Sequence, residues 1–199
     1  MSTCERIIGS ADEMREVGRR LGVSLLEISA GPVIITLQGE LGAGKTTLVR
    51  GLLQTFGVVG AVRSPTYTLI EPYESMSRRI YHLDLYRLGN ARDLDGLGIR
   101  DLLEPDAILL IEWPERAGEA ALPTVDLNIL ISYADMRSAG SDTLAPTQKI
   151  IPERAASTRE EKAVVAAGAE NSCGARRVLL HPVTARGKSL VQSSWPRDK

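Results

Sequence analysis

The chain has 199 residues, of which 43% are hydrophobic and 25% charged, proportions typical of one soluble globular domain with room for an extra segment. Its net charge of −1 gives no electrostatic footprint for bulk nucleic-acid binding. Two cysteines, Cys4 and Cys173, are too few for a disulfide framework or a zinc cluster. No apolar run approaches the ~20 residues of a membrane span, and the polar start MSTCER lacks the apolar core of a signal peptide. We therefore expect reduced thiols, no membrane association and a cytoplasmic location.

The first two predicted elements are a helix and a buried strand. Residues 10–22 predict an amphipathic helix, because Ser10 and Glu13 have the spacing of a capping box and apolar residues recur at helical spacing. The apolar face consists of Met14, Val17 and Leu21. Residues 33–37, VIITL, are apolar almost throughout, as expected of a parallel strand that is covered on both faces.

Residues 39–47, GELGAGKTT, match the pattern G-x-x-x-x-G-K-[ST] without a mismatch, between that strand and a helical segment that ends near Phe56. The three glycines that let backbone N–H groups turn toward a phosphate are Gly39, Gly42 and Gly44. Lys45, at the expected start of the helix, supplies a mobile charge for the outer phosphates, and the Thr46 hydroxyl is placed to bind Mg²⁺. A plain glycine-rich turn is the alternative, and the complete match disfavours it. We predict a loop that binds a nucleoside triphosphate.

The next two segments are rich in β-forming residues and are joined by a short polar turn. Residues 66–69 alternate as in a strand that Pro65 introduces, residues 74–78 are polar, and residues 80–85 form the second run. Such a pair is antiparallel, and not the strand–helix–strand step expected after a P-loop helix. We therefore expect a mixed sheet.

The rest of the chain predicts further strands around an irregular segment. Residues 90–103 indicate one or two short helices, and three later apolar or alternating runs predict strands: 107–111, 125–133 and 178–180. Residues 138–173 have no consistent apolar period and no aromatic residue, which indicates a mobile insertion or a loosely held helix. The residues from Arg176 onward are basic and suggest a solvated tail, or else an RNA-facing or partner-facing patch.

Two acids that follow apolar runs are the candidates for chemistry beside the loop. Glu112 comes after residues 108–111, at the carboxyl edge of the sheet where ligands of open α/β sheets bind. A P-loop needs such an acid to hold Mg²⁺ or its waters, and Glu, which is longer than the common Asp, either reaches the metal or orients a water. Asp84 and His82 leave the same face of one strand, and from spacing alone a surface coincidence is the favoured interpretation of that pair.

Other features carry less weight. Arg87 suits either a charge stabiliser or a structural salt bridge, and the segment 64–66, SPT, lies where many P-loop proteins have a nucleotide-sensing loop. No Asn-Lys-x-Asp run supports guanine specificity, and the D-x-x-G match at 93–96 lacks the preceding strand that would give it meaning. No His/Cys constellation suggests a metal cluster.

Several motifs in a fixed order give the chain a resemblance to the bacterial TsaE family, also called YjeE, over roughly residues 5–137 and weakly over 175–191. The motifs are GELGAGKTT (39–47), SPTYTLIEPY (64–73), YHLDLYRL (81–88), LGIRDLL (97–103) and ILLIEWPERAG (108–118). These proteins are small P-loop ATPases required for making threonylcarbamoyladenosine in tRNA. The chain departs from the family pattern at 138–173, where members usually pass directly to an Arg-led last strand.

The resemblance implies an α/β P-loop fold with central parallel strands, antiparallel edge strands and flanking helices. It implies ATP and Mg²⁺ as cofactors, with Thr46 and Glu112 near the metal, Asp84 important for hydrolysis and 64–66 a switch-like loop. The implied nucleotide-binding residues are Gly39, Leu41, Gly42, Ala43, Gly44, Lys45, Thr46, Thr47 and Trp113. It also implies the TsaD–TsaB pair as partners, with tRNA involved only indirectly.

The sequence thus predicts a cytoplasmic, Mg²⁺-dependent ATPase that is weak alone and stimulated by its partners, with Lys45, Asp84 and Glu112 as catalytic residues. Its predicted organisation is an ATPase domain at 1–137, the insertion at 138–173, the final strand or strands at 174–192 and a tail at 193–199. Three alternatives remain open: a small-molecule kinase, a nucleotide-gated binding module with negligible turnover, and a direct tRNA binder that uses the basic tail. A small-molecule kinase usually needs an Arg-rich lid to exclude water, and this sequence has no Arg cluster after the expected helix.

Overall fold

The computed structural model describes residues 3–28, 31–75, 77–89, 96–118, 122–134 and 174–195. These residues form a mixed sheet of seven strands with three α-helices. The strands are β1 (Cys4–Ile8), β2 (Val33–Gln38), β3 (Ile70–Glu74), β4 (Arg79–Asp84), β5 (Ala107–Glu112), β6 (Leu127–Tyr133) and β7 (Arg176–Pro182). The helices are α1 (Ala11–Leu26), α2 (Lys45–Thr55) and α3 (Ala185–Ser194), and two short 3₁₀ turns span Ile99–Leu102 and Pro114–Arg116.

The strand order is β1-β7-β6-β2-β5-β4-β3, so the predicted mixed sheet is confirmed. The central strands β6, β2, β5 and β4 are parallel, whereas β3, β7 and β1 pair in antiparallel fashion. The P-loop strand β2 lies between β5 and β6. In the register of the sheet Glu112 pairs with Leu37 on β2 and with Asp84 on β4, so the strand-end acids meet at one edge.

Helix α1 begins as predicted, because the Ser10 side chain accepts a hydrogen bond from the Glu13 backbone N–H. Its buried face includes Met14, Val17 and Leu21, and it extends to Leu26, beyond the predicted end at residue 22. Strand β5 is buried at every position. Ile108 and Leu110 pack in the core beneath the helices, and Leu109 and Ile111 pack in a second core on the opposite face. This two-sided burial explains why central strands carry apolar runs without alternation.

Helices α1 and α2 pack with direct contact between their backbones. A Cβ atom at Gly18 of α1 would lie 2.0 Å from the Leu48 carbonyl oxygen, and a Cβ at Gly51 of α2 would lie 2.0 Å from the Arg15 carbonyl oxygen. We call this contact the glycine seam, defined by Gly18 and Gly51. Because side chains of any size would separate the two helices, the seam fixes the P-loop helix closely against α1.

The predicted strand at 66–69 is wrong. Residues 66–68 form a turn that the Leu69 N–H closes on the Pro65 carbonyl oxygen at 2.7 Å, and the strand begins only at Ile70. Leu69 has a φ of 65°, a left-handed conformation that ends any extended run. The alternation of Thr and apolar residues therefore marks a turn here. The predicted antiparallel pair with its polar turn is present, as β3 and β4, but its first strand begins at Ile70 and not at residue 66.

The sequence did not predict two elements. Strand β1 forms one edge of the sheet, and α3 occupies residues 185–194, where final strands and a tail are predicted. Thr184 caps α3 by accepting from the Gly187 N–H at 3.1 Å. The apolar residues that α3 and its C-terminal cap bury are Leu190, Val191 and Trp195. This sparse pattern explains the omission. Arg176 is also buried, at 6% exposure, so the basic segment does not begin as a solvated tail.

Asp126, just before β6, joins three parts of the fold. One of its carboxylate oxygens accepts the Ile34 backbone N–H at 3.1 Å, and the other accepts the Thr184 hydroxyl at 2.5 Å. The Asp126 side chain thereby ties β2 and the start of α3 to β6, and the residue is 6% exposed.

We expect Asp126→Ala to lower the free energy of unfolding by about 1–3 kcal/mol, because it leaves the buried Ile34 N–H without an acceptor. Urea unfolding followed by circular dichroism measures the change. Glu71→Ala on β3 is the matched control, since that carboxylate is exposed and its removal should change little. Equal unfolding midpoints for the two variants would contradict the tethering role of Asp126.

All described residues belong to one compact unit, and none of its helices is long and apolar enough to cross a bilayer. The predicted insertion at 138–173, the residues 90–95 of the predicted short helices, and residues 196–199 lie outside the described residues. The predicted domain boundaries at these places stay predictions.

Candidate active site at the head of the P-loop helix

Residues 39–44 turn from the end of β2 into the first residue of α2, Lys45. Gly44 caps the helix with a φ of 111°, and Gly42 has a φ of 77°, conformations that favour glycine. At Gly39 the constraint is contact: a Cβ there would lie 2.2 Å from the Ile131 carbonyl oxygen on β6. Glycine is therefore favoured at these three positions by the backbone conformation or by close contact, in agreement with the motif.

Lys45 is 4% exposed, and its ammonium is held inside the loop. Its Nζ donates to the Gly39 carbonyl oxygen at 2.6 Å and to the Glu40 carbonyl oxygen at 3.0 Å. The same atom lies 3.7 Å from the centre of the Trp113 ring, a cation–π contact. Burial lowers the pKa of Lys45, and the nearby carboxylates, chiefly Glu112, oppose that shift. Two loop carbonyl oxygens and the Trp113 ring thus stabilise the positive charge of Lys45 in this structure.

Thr46 and Glu112 meet directly. The Thr46 hydroxyl, at the start of α2, donates to Glu112 Oε1 at 2.8 Å, and Glu112 is 2% exposed at the end of β5. A hydroxyl that donates its proton to a carboxylate keeps its oxygen lone pairs for a cation. The structure therefore brings together the two residues that the sequence assigned to the metal.

Asp84, at the end of β4, accepts hydrogen bonds on both carboxylate oxygens. Its Oδ2 accepts the hydroxyls of Ser64 and of Thr66, the latter at 2.9 Å, and its Oδ1 accepts the Tyr86 N–H at 3.0 Å. The segment 64–66 is therefore attached to Asp84 by side-chain hydroxyls. This link joins the predicted switch-like loop to the predicted catalytic acid, which sequence spacing did not indicate.

The expectation that His82 and Asp84 form a surface coincidence is wrong. His82 is fully buried, and its Nε2 lies 2.8 Å from Glu112 Oε1. Asp84 is 3% exposed and faces the cavity. Spacing alone did not reveal the burial, because the sequence does not show that β4 lies inside the sheet, between β5 and β3.

Two aromatic side chains, Tyr86 and Trp113, face the site. The Tyr86 ring lies 4.9 Å from the Trp113 ring, centre to centre. The Arg87 guanidinium stacks 4.2 Å from the ring centre of Tyr67, which is 83% exposed, and the two roles considered for Arg87 from the sequence stay predictions. Tyr86 is the lining residue that the sequence analysis missed. Its place two residues after Asp84, beside a tryptophan, becomes visible only once β4 and β5 are paired.

A cavity of about 270 Å³ opens at this edge of the sheet. Its lining residues are Leu41, Gly42, Gly44, Lys45, Thr46, Thr47, Ser64, Thr66, Asp84, Tyr86, Glu112 and Trp113. Of the predicted nucleotide-binding residues, only Gly39 and Ala43 do not line it, and both lie in the loop that shapes it. Leu41 is 73% exposed at the rim.

The donor set suits Mg²⁺. No group of three or more His, Cys, Asp or Glu residues in the described part of the chain is arranged to hold a metal ion. One hydroxyl and one carboxylate, from Thr46 and Glu112, fit an ion that takes few protein oxygens and completes its shell with phosphate and water. The residues present therefore fit a metal that arrives with a nucleotide.

Three comparisons place the chain among known proteins. Residues 8–139 match the family model described as "Threonylcarbamoyl adenosine biosynthesis protein TsaE". The chain is 43% identical over 136 residues to the tRNA threonylcarbamoyladenosine biosynthesis protein TsaE of Haemophilus influenzae, a match that covers 68% of this chain and 85% of that protein. It is 38% identical over 125 residues to the TsaE protein of Nostoc sp., with coverage of 61% and 75%. The crystal structure of Bacillus subtilis YdiB is similar in fold, with a TM-score of 0.64 at 21% identity, over 97% of this chain and 94% of that one.

Proposed function

The chain belongs to the TsaE family of tRNA threonylcarbamoyladenosine biosynthesis, and from that premise we propose that it acts there as a Mg²⁺-dependent ATPase. Its role is to bind and hydrolyse ATP for a TsaD–TsaB complex in the cytoplasm, with tRNA involved only through that complex. The partners follow from the family resemblance. The chemistry rests on the residues at the head of the P-loop helix.

The observation that carries the proposal is the 2.8 Å hydrogen bond from Thr46 to Glu112 at the head of the P-loop helix. It joins the residue placed to hold Mg²⁺ to the acid at the end of the neighbouring strand, which is the arrangement that P-loop NTPases use. A glycine-rich turn without function does not require a buried carboxylate there. Burying this acid has a cost, which a bound cation offsets.

Each residue has a separate role in the proposed reaction. The loop N–H groups and Lys45 hold the phosphates, with the helix N-terminus aimed at the same anion. Thr46 and Glu112 would hold Mg²⁺, which would supply charge stabilisation for the transferred phosphoryl group. Asp84 orients the attacking water or accepts its proton, since its carboxylate faces the same cavity. Trp113 closes one wall of the cavity and contacts Lys45.

The deciding experiment measures ATP loss and phosphate release together, under multiple turnover, for the purified chain with and without TsaD and TsaB. An ATPase releases one phosphate for each ATP lost, and faster in the presence of the partners. ATP loss in excess of phosphate release favours a small-molecule kinase and overturns the proposal.

Binding without turnover favours the nucleotide-gated module. Fluorescence of Trp113 measures binding, and a Trp195→Phe background makes Trp113 the single tryptophan of the chain. Co-purification of the chain with TsaD and TsaB, with and without ATP, tests the partners. If the chain associates directly with tRNA in their absence, the indirect role of tRNA is wrong.

A further inference from the structure

His82 makes one polar contact and leaves its other ring nitrogen without one. The side chain is fully buried in β4, Nε2 lies 2.8 Å from Glu112 Oε1, and Nδ1 has no hydrogen-bond partner among the described residues. We propose that His82 is a positioning residue that donates from Nε2 to Glu112 Oε1 and so holds this carboxylate against the Thr46 hydroxyl. The inference rests on the proposed function and assigns a role to a residue that does not line the cavity.

The hydrogen bond assigns the tautomer. A carboxylate oxygen only accepts, so the nitrogen that faces Glu112 Oε1 carries the proton. The contact therefore specifies a proton on Nε2, whereas Nδ1 has no hydrogen-bond partner among the described residues.

Glu112 has a reason to need such support. A Glu side chain has one more rotatable bond than the Asp found in many P-loop sites, so fixing it in one rotamer costs more conformational entropy. His82 lies diagonally across the β4–β5 pair from Glu112, opposite Leu110, so the two side chains reach each other on one face. Glu112 Oε1 then receives two donors from different directions, the Thr46 hydroxyl and the His82 ring.

The His82–Glu112 contact matters for the two residues that would hold Mg²⁺, Thr46 and Glu112. While Glu112 Oε1 stays in place, it accepts the hydrogen bond from the Thr46 hydroxyl, and the lone pairs of the Thr46 oxygen stay available for a cation. If His82 is lost, the carboxylate gains freedom to leave Thr46, and the residues that would hold Mg²⁺ lose their arrangement. Partners that orient metal ligands typically contribute 10- to 100-fold in metal affinity or activity.

Two substitutions separate positioning from packing. In His82→Gln the side-chain amide nitrogen reaches about as far as Nε2 and keeps a donor for Glu112. In His82→Asn the amide ends near the position of Nδ1 and does not reach it. Both variants are polar amides at the same buried site, so a merely structural role treats them alike, and their thermal unfolding checks that both fold.

The readout is the Mg²⁺ dependence of ADP binding, followed by Trp113 fluorescence in the Trp195→Phe background. We expect His82→Asn to raise the Mg²⁺ midpoint about 10- to 100-fold, while His82→Gln stays near the parent. ADP affinity without Mg²⁺ should be similar in all three proteins. Equal midpoints for the Asn and Gln variants overturn the positioning role.

A second arm does not depend on nucleotide. Two-bond ¹H–¹⁵N spectra of the ¹⁵N-histidine-labelled chain report which ring nitrogen carries the proton, and His82→Gln assigns the signals against those of His181. Protonation at Nε2 is expected, and a proton on Nδ1 alone overturns the proposal. If the parent fails to bind ADP at any Mg²⁺ concentration, the proposed function fails, and the tautomer alone then decides whether His82 donates to Glu112.

Discussion

Replacing Glu112 by Ala is expected to lower partner-stimulated ATP hydrolysis by at least about 100-fold, the scale on which a site loses a preorganised electrostatic contact. The substitution removes the acceptor of the Thr46 hydroxyl and the group that faces His82. It also removes the largest carboxylate influence on Lys45, whose ammonium then has less counter-charge nearby. Phosphate release under saturating ATP, with TsaD and TsaB present, measures the effect.

Glu5→Ala is the matched control, because Glu5 is a half-exposed acid on β1 at one edge of the sheet. It should hydrolyse ATP at the parental rate. Normal turnover by a folded Glu112→Ala protein would falsify the role given to this acid. The P-loop would then remain a binding site whose chemistry depends on other residues.

Gly51→Ala is expected to lower the free energy of unfolding by about 3 kcal/mol or more, at the upper end of the overpacking range. The added methyl would lie 2.0 Å from the Arg15 carbonyl oxygen, which is backbone and does not move aside without shifting α1. The intrinsic preference of Ala for helices opposes this by only about 1 kcal/mol. For a domain of this size the loss corresponds to a fall in Tm of roughly 6–12 °C.

Scanning calorimetry on Gly51→Ala and Gly9→Ala checks this prediction. Gly9 precedes α1, and a Cβ there would meet no atom closer than 3.8 Å, so the control gains a methyl without a clash. A Gly51 variant that melts with the control would show that α1 and α2 are not in backbone contact.

The parts of the fold that the sequence predicted are those in which local pattern and tertiary role agree. The P-loop is one, because its glycines and lysine have backbone and charge requirements that few other structures share. Strand β5 is another, since burial on both faces leaves an uninterrupted apolar run. Glu112, the last residue of β5, lies in the site for the same reason: the carboxyl ends of parallel strands converge at one edge.

The elements that were missed depend on partners distant in sequence. Strand β1 is stabilised by β7, more than 160 residues later, and its own residues CERII show little alternation. Helix α3 packs through Leu190 and Val191 and is capped by Thr184, a pattern too short to be distinguished from a basic tail. At the predicted 66–69 strand, the hydroxyls of Thr66 and of the preceding Ser64 donate to Asp84, and this tertiary contact outweighs the β propensity of Thr.

The site geometry shows the same division. Thr46 and Glu112 were paired from motif and topology, whereas the burial of His82 required knowing that β4 lies between two strands. Residue spacing placed His82 and Asp84 on one side of a strand, but it did not show that this side faces Glu112.

The glycine seam also has a mechanical consequence. Because α2 rests on the backbone of α1, the phosphate loop at its head belongs to a stiff body that resists sliding or tilting. The segment 64–66, by contrast, is attached to Asp84 through rotatable hydroxyl groups. We therefore expect rearrangement at this edge to occur in that segment: a change that frees Ser64 and Thr66 alters the surroundings of Asp84 while the P-loop stays where it is.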